Sequence, residues 1–233
     1  MDKLNINLLN TTFLVAVIYG LLFSGILLKR NWKKHNSHLW LGWFMLAFTV
    51  VLLDTYLKSI WLYRVIPFIG WTYYRLITLP AFFLWAYVVT ATQQKLAIHT
   101  KEKVMLALVA TDLLYQIFSF VIGFLQLKEL ARQNRLFADT WLELLGIVMG
   151  AFVMYHAIQH LRKYQQTLQN NYSAKEAKQN LQWLKELLVV LMAFLIIWVV
   201  VLPLNMYLFH LKISVYTIWL SQAVIIFYML KTW

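Results

Sequence analysis

The chain has 233 residues, 62% of them hydrophobic and 13% charged, with a formal net charge of +12 and no cysteine. So small a polar fraction excludes a soluble particle of this size and reads as an integral membrane protein. The lack of cysteine excludes disulfides, thiolate metal sites and cysteine nucleophiles.

Apolar blocks of about 20 residues, the length that carries a helix across a hydrocarbon core of ~30 Å, recur along the sequence. The first predicted span covers 8–28, between Lys3 and Lys29. Only Asp2 and Lys3 precede it as charges and no small-residue cleavage pattern follows, so it reads as a retained span and not a signal peptide. The second covers 39–57, after the basic turn KRNWKKHNSH. The third, 74–92, carries Pro80 in its interior, which neighbouring helices accommodate in a membrane. The fourth covers 104–124 and the fifth 140–159. The sixth, 187–208, contains LLVVLMAFLIIWVVVL, in which the Trp198 indole holds the only polar side-chain atom. The seventh covers 213–230. The expectation is an all-α, polytopic, seven-transmembrane-helix bundle forming a single domain over 1–233. The segment 59–73 leaves room for a half-helix without changing the count, and no internal repeat is visible.

Lys and Arg resist translocation, so their placement predicts orientation. The loops 29–38, 93–103 and 160–186 with the C-terminus hold 13 of these residues and the opposite side holds 8. The bias predicts N-outside, C-inside. It also spreads the positive charge over loops on both faces, so the chain carries no gathered patch for direct nucleic acid binding.

The longest polar stretch, NNYSAKEAKQNLQWLKELL at 170–188, runs straight into the sixth span. Ser173 followed three residues later by Glu176 is a capping-box pattern, which predicts a helix from Ala174. No Gly or Pro interrupts the sequence from there to Leu202. A cytoplasmic helical extension over 174–186 is therefore expected to run as one rod into the span, with Trp183 in the interfacial aromatic belt. The plain reading is a well-capped helix end; the functional reading is a rod that couples the bundle to a cytoplasmic element.

This stretch resembles the segment before the sixth span in the membrane sensor halves of bacterial AraC-type transcription regulators. Tyr172, Ser173, Glu176, Leu181, Trp183 and Leu184 stand at the matching places, with Lys185 where arginine is usual. HNSHLWLGWFMLAFTVVLLD is similar to the family's second span and LITLPAFFLWAYVVT to its third, with Leu79 in place of a glycine. The resemblance implies a seven-span sensor in the bacterial inner (cytoplasmic) membrane, without enzymatic activity or cofactor, feeding a transcriptional or kinase output. It implies that Ser173, Glu176, Leu181, Trp183 and Leu184 couple the signal. The chain departs from the family at FYMLKTW, where the output domain is absent, so the output would come from a cytoplasmic partner protein or a homodimer.

A receptor would keep costly polar groups in the outer half of its bundle to meet an unknown small ligand. Asp54, Asp112 and Glu143 fall inside predicted spans, Asp112 deepest; interhelical hydrogen bonds are the plain explanation. Arg64 and Arg75 are the basic partners expected for Asp54 and Glu143. With them, Trp71 and Tyr74 in the outer connection supply rings that stack on a small organic ligand or hold a cation, although belt aromatics are ordinary there. Asp54, Arg64, Trp71, Tyr74, Arg75, Asp112 and Glu143 form the candidate ligand set.

Two other classes compete. His156 and His160, four apart on one helix face, supply two ligands for a metal-dependent hydrolase. Against it, the acidic residues on that face lie outside the spans, and no HExxH or GxSxG is present. A small-solute transporter would use Asp112 and the Pro80 region.

Overall fold

A computed structural model describes residues 7–32, 36–62, 65–66, 78–92, 100–125, 143–169, 175–207 and 212–232. Among them the chain is helical throughout: α1 (Leu8–Asn31), α2 (Ser37–Ser59), α3 (Thr78–Ala91), α4 (Thr100–Phe124), α5 (Glu143–Gln169), α6 (Lys175–Tyr207) and α7 (Lys212–Thr232). Among the described residues five stretches are long and apolar enough to cross a membrane: Leu8–Asn31, Ser37–Ser59, Lys103–Ile122, Leu144–Thr167 and Gln182–Val201. Thr78–Ala91 and Leu220–Lys231 are apolar but shorter.

Local chemistry fixes the first helical pair. Asn7 caps α1 by accepting from the Asn10 N–H at 2.9 Å. At the other end the Asn31 amide donates to Leu27 O at 2.8 Å and accepts from Asn36, the N-cap of α2, at 3.0 Å. Trp61 then closes α2 in the left-handed region, φ 60°, with its N–H on Lys58 O. That conformation is uncommon for a bulky residue.

Without a hydrophobic drive between helices in lipid, close packing holds them together, and small residues permit it. A Cβ on Gly20 would run into Thr49, and one on Gly42 would press on Leu27 and Leu28. These crossings set α1 and α2 antiparallel, with Gly20 level with Thr49. Tyr19 meets Phe227 edge-on and joins α7 to α1. The helices pack in the cyclic order α1, α2, α3, α5, α6, α7, with α7 also touching α2; α4 stands outside this ring and packs mainly on α3. The end where α1 begins is termed proximal here, and the end where α5 meets α6 distal.

Two helices depart from simple span lengths. Trp40 packs on Phe82 and Phe83, so α3 lines the distal half of α2. Thr78 therefore lies level with Phe44 to Phe48, near the middle of the bundle. Pro80 falls in the first turn of α3, where its missing N–H has no intrahelical acceptor to lose. Residues 74–77 of the expected span lie outside the described residues.

α6 is one unbroken helix of 33 residues, roughly 50 Å long. Phe48 of α2 meets Phe194 of α6. From that level α6 runs about 12 Å further in the distal direction than α2 does. The expected rod is present from Lys175, but its packed part starts earlier than residue 187. Leu184 is buried with Leu187 and Leu188, and the Trp183 ring meets Tyr87 edge-on at 5.8 Å. The expected extension is therefore already packed from residue 183 on, and α5 runs ten residues past the expected end of its span.

Candidate functional site

The polar groups inside the bundle fall at three levels. The proximal level is shared by α1 and α2, which pack on each other. Asn10, Asp54, Thr55 and Ser59 are all buried there. Gly20 opposite Thr49 sets Ser59 level with Asn10 and Thr55 level with Leu14. The four side chains thus occupy one layer about 8 Å deep. Within it Asp54 Oδ2 is 2.9 Å from Lys58 Nζ, one turn nearer the proximal end of α2. On α7, Gln222 is 8% exposed and has its Oε1 buried with no hydrogen-bond donor among the described residues.

The middle level joins α3 to α4. Asp112, 1% exposed, accepts at Oδ2 from the Thr78 hydroxyl at 2.7 Å and the Thr78 N–H at 3.1 Å. Its Oδ1 accepts from Gln116 Nε2 at 3.2 Å. One carboxylate thus caps a helix start inside the bundle. It satisfies a first-turn N–H and sits at the positive end of the α3 dipole.

The distal level joins α3, α6 and α7. Tyr87 on α3 carries Trp183 on its ring, and Leu184 packs beside it into the core. The Trp183 indole N–H is buried with no acceptor among the described residues. One turn further, Glu186 accepts from Gln182 at 2.8 Å and from the Tyr228 hydroxyl at 3.3 Å. The base of the α6 extension is therefore fixed both to α3 and to α7.

The expected ligand set divides. Asp54 and Asp112 are brought to different levels and different helix pairs, and among the described residues Asp54 pairs with Lys58. Arg64, Trp71, Tyr74, Arg75 and Ser173 lie outside the described residues. Glu143 begins α5, and Glu176 and Leu181 stand in α6, each described in its backbone alone. His156 lies between the Phe152 and Tyr155 rings, at 4.4 and 5.4 Å. Among the described residues no three His, Cys, Asp or Glu side chains are grouped to hold a metal.

Asn10, Gln222, Thr78 and Gln116 were not among the candidates. Their signal was available, since an amide or hydroxyl in an apolar block is as exceptional as a carboxylate. Tyr87 and Tyr228 carried no such signal among 13 tyrosines. In comparisons with protein-family models, curated proteins and solved structures, nothing matches this chain.

Proposed function

We propose that the chain is a seven-span membrane sensor, N-outside and C-inside, in a bacterial inner membrane. It detects an extracytoplasmic or membrane-borne small ligand and passes the change to a separate cytoplasmic output, with no catalysis and no nucleic acid contact of its own. The observation that carries this reading is the continuity of α6. One rod holds Leu184 in the core and Trp183 against Tyr87, and continues unbroken from there to Lys175. A small displacement of α3 or α7 against that rod would be delivered at its Lys175 end without loss along a hinge. The resemblance of 170–188 to the AraC-type sensor halves supports the same assignment.

The test is in-membrane crosslinking of single cysteines placed along 174–186, with and without growth-medium extract, in a chain that has no cysteine of its own. The sensor reading expects crosslinks to one polypeptide, or to a second copy, that change with extract. A partnerless segment indifferent to every extract overturns it.

A second reading has one observation in its favour. A helix that starts in mid-bundle on a buried carboxylate, as α3 does on Asp112, is an arrangement used by transporters. Proteoliposome uptake abolished by Asp112→Asn would favour it.

A further inference from the structure

The exposed side of α1 carries an ordered stripe. Ile18, Leu22, Gly25, Lys29 and Trp32 recur at intervals of three and four, so they stand in line along the helix, and all five are exposed. Gly25 is the member that the fold leaves unexplained. Glycine is the poorest helix former after proline, and close helix contact is its usual reason for standing in a span. Gly20 and Gly42 have that reason, whereas a Cβ on Gly25 would meet nothing within 4 Å. The result is a notch in the surface of α1, one turn nearer the middle of the bundle than Lys29 and bordered by the exposed Leu22 and Ile26.

The charge at the mouth of the notch has one sign. Lys29 and Arg30 stand in the last turn of α1, exposed and without an ion-pair partner among the described residues. From Lys3 to Leu53 the sequence contains no Asp or Glu, and α7, the other neighbour of α1, has none and carries Lys231 in its last turn. The α1 dipole favours cations at this end, but it does not account for the notch. Trp32 packs on Trp43 of α2 at 6.2 Å, and exposed indoles of this kind sit at headgroup depth. Lys29 stands eleven residues from Ile18, about 16 Å of helix, which is close to half of a hydrocarbon core of ~30 Å. The stripe thus has the length of one leaflet, with its cation where phosphates lie and its notch where an acyl chain begins.

We propose that this stripe binds an anionic phospholipid: Lys29, with Arg30 beside it, takes the phosphate, and an acyl chain fills the notch at Gly25 and runs along Leu22 to Ile18. A zwitterionic headgroup would bring its own ammonium to an end of α1 and α2 that holds no carboxylate. A second copy of the chain is disfavoured on the same ground, since two copies inserted in one direction would set Lys29 against Lys29. This goes beyond the sensor reading and stands or falls separately from it.

The experiment uses the full chain with Ile18→Cys as its one cysteine, labelled with bimane and reconstituted in phosphatidylcholine vesicles. Quenching by dibrominated phosphatidylglycerol is compared with quenching by dibrominated phosphatidylcholine at equal mole fraction. Two basic residues at headgroup level correspond to a preference for the anionic lipid of roughly tenfold at Ile18. A label at Leu114→Cys, on the exposed face of α4, is expected to report little preference. Lys29→Gln/Arg30→Gln should abolish the preference at Ile18, and Gly25→Leu, which fills the notch and leaves every charge in place, should lower it several-fold. Equal quenching by the two lipids at Ile18 overturns the proposal, as does a preference that survives Lys29→Gln/Arg30→Gln. A preference equally strong at Leu114, or indifferent to Gly25→Leu, means diffuse attraction to a basic face and also rejects the site. A label at Ile18 shielded from both lipids rejects it in favour of a second copy on the stripe. Should the charge variant fail to fold, Gly25→Leu decides, because the added side chain enters open space.

Discussion

Thr78 starts α3 by giving both its backbone N–H and its hydroxyl to a single oxygen, Oδ2 of Asp112 on α4. The two residues are 34 positions apart, and the contact fixes where one helix begins and how the outlying helix is attached. Asp112→Ala leaves a buried first-turn N–H without its acceptor. Hydrogen bonds to a charged group contribute about 1.5–3 kcal/mol in water-soluble hosts and less in membranes, so a loss of about 2 kcal/mol is expected. Asp112→Asn keeps an acceptor and should cost about half as much. Equilibrium unfolding in mixed micelles measures both; equal, negligible losses would show that the α3 start is held elsewhere.

The α1 and α2 crossing yields a prediction with its own control. At Gly20 a Cβ would run into Thr49, whose hydroxyl is already committed to Met45 O at 2.7 Å, whereas at Gly25 nothing lies within 4 Å. Overpacking costs about 1–3 kcal/mol, so Gly20→Ala should destabilise by that amount and Thr49→Ala should recover most of it in the double variant. Gly25→Ala meets open space and should be neutral or gain up to about 1 kcal/mol from helix propensity. Identical effects at the two glycines in the same unfolding assay would refute this crossing.

How much of this was legible in the sequence depends on the range of the interaction. Helix existence was legible, because an apolar block either reaches about 20 residues or does not. The α6 rod was legible because nothing between Ala174 and Leu202 breaks a helix. The Asp54 pair with Lys58 was legible in principle, since Lys58 stands one turn away on the same helix. The start of α3 at Thr78 was not legible. It is set by a partner on another helix, and the apolar run around Pro80 reads equally well as a span interior. The polar layer was hidden for a related reason: the shared level of Asn10 and Ser59 follows from the Gly20 and Thr49 crossing, which no single-helix pattern encodes.

Trp183 separates the ring from its polar handle. Its ring packs on Tyr87 while its N–H is buried without an acceptor among the described residues. Trp183→Phe keeps an aromatic face and removes the unmet donor, whose burial costs about 1–3 kcal/mol, so the variant should be at least as stable as wild type. Trp183→Ala removes the ring too and should cost about 3 kcal/mol. If Trp183→Phe proved as damaging as Trp183→Ala, the indole N–H would have to be serving a partner that binds the protein.

The position of α4 outside the ring makes the last prediction. One face of α4 is buried through Met105, Val109, Asp112, Ser119 and Ile122, a spacing of three and four that keeps them in line. The other face carries Val104, Leu114, Ile117, Phe118, Val121 and Phe124, with Leu114 67% exposed. In water such a stripe would drive aggregation, but against acyl chains it has no cost, so this face belongs in lipid. Nitroxides on single cysteines at Leu114 and Ile117 should then show high accessibility to oxygen and low accessibility to a water-soluble nickel chelate. A label at Ser119 should be protected from both. Protection at Leu114 and Ile117 in dilute proteoliposomes, lost on further lipid dilution, would instead mean that α4 seats a second copy of the chain.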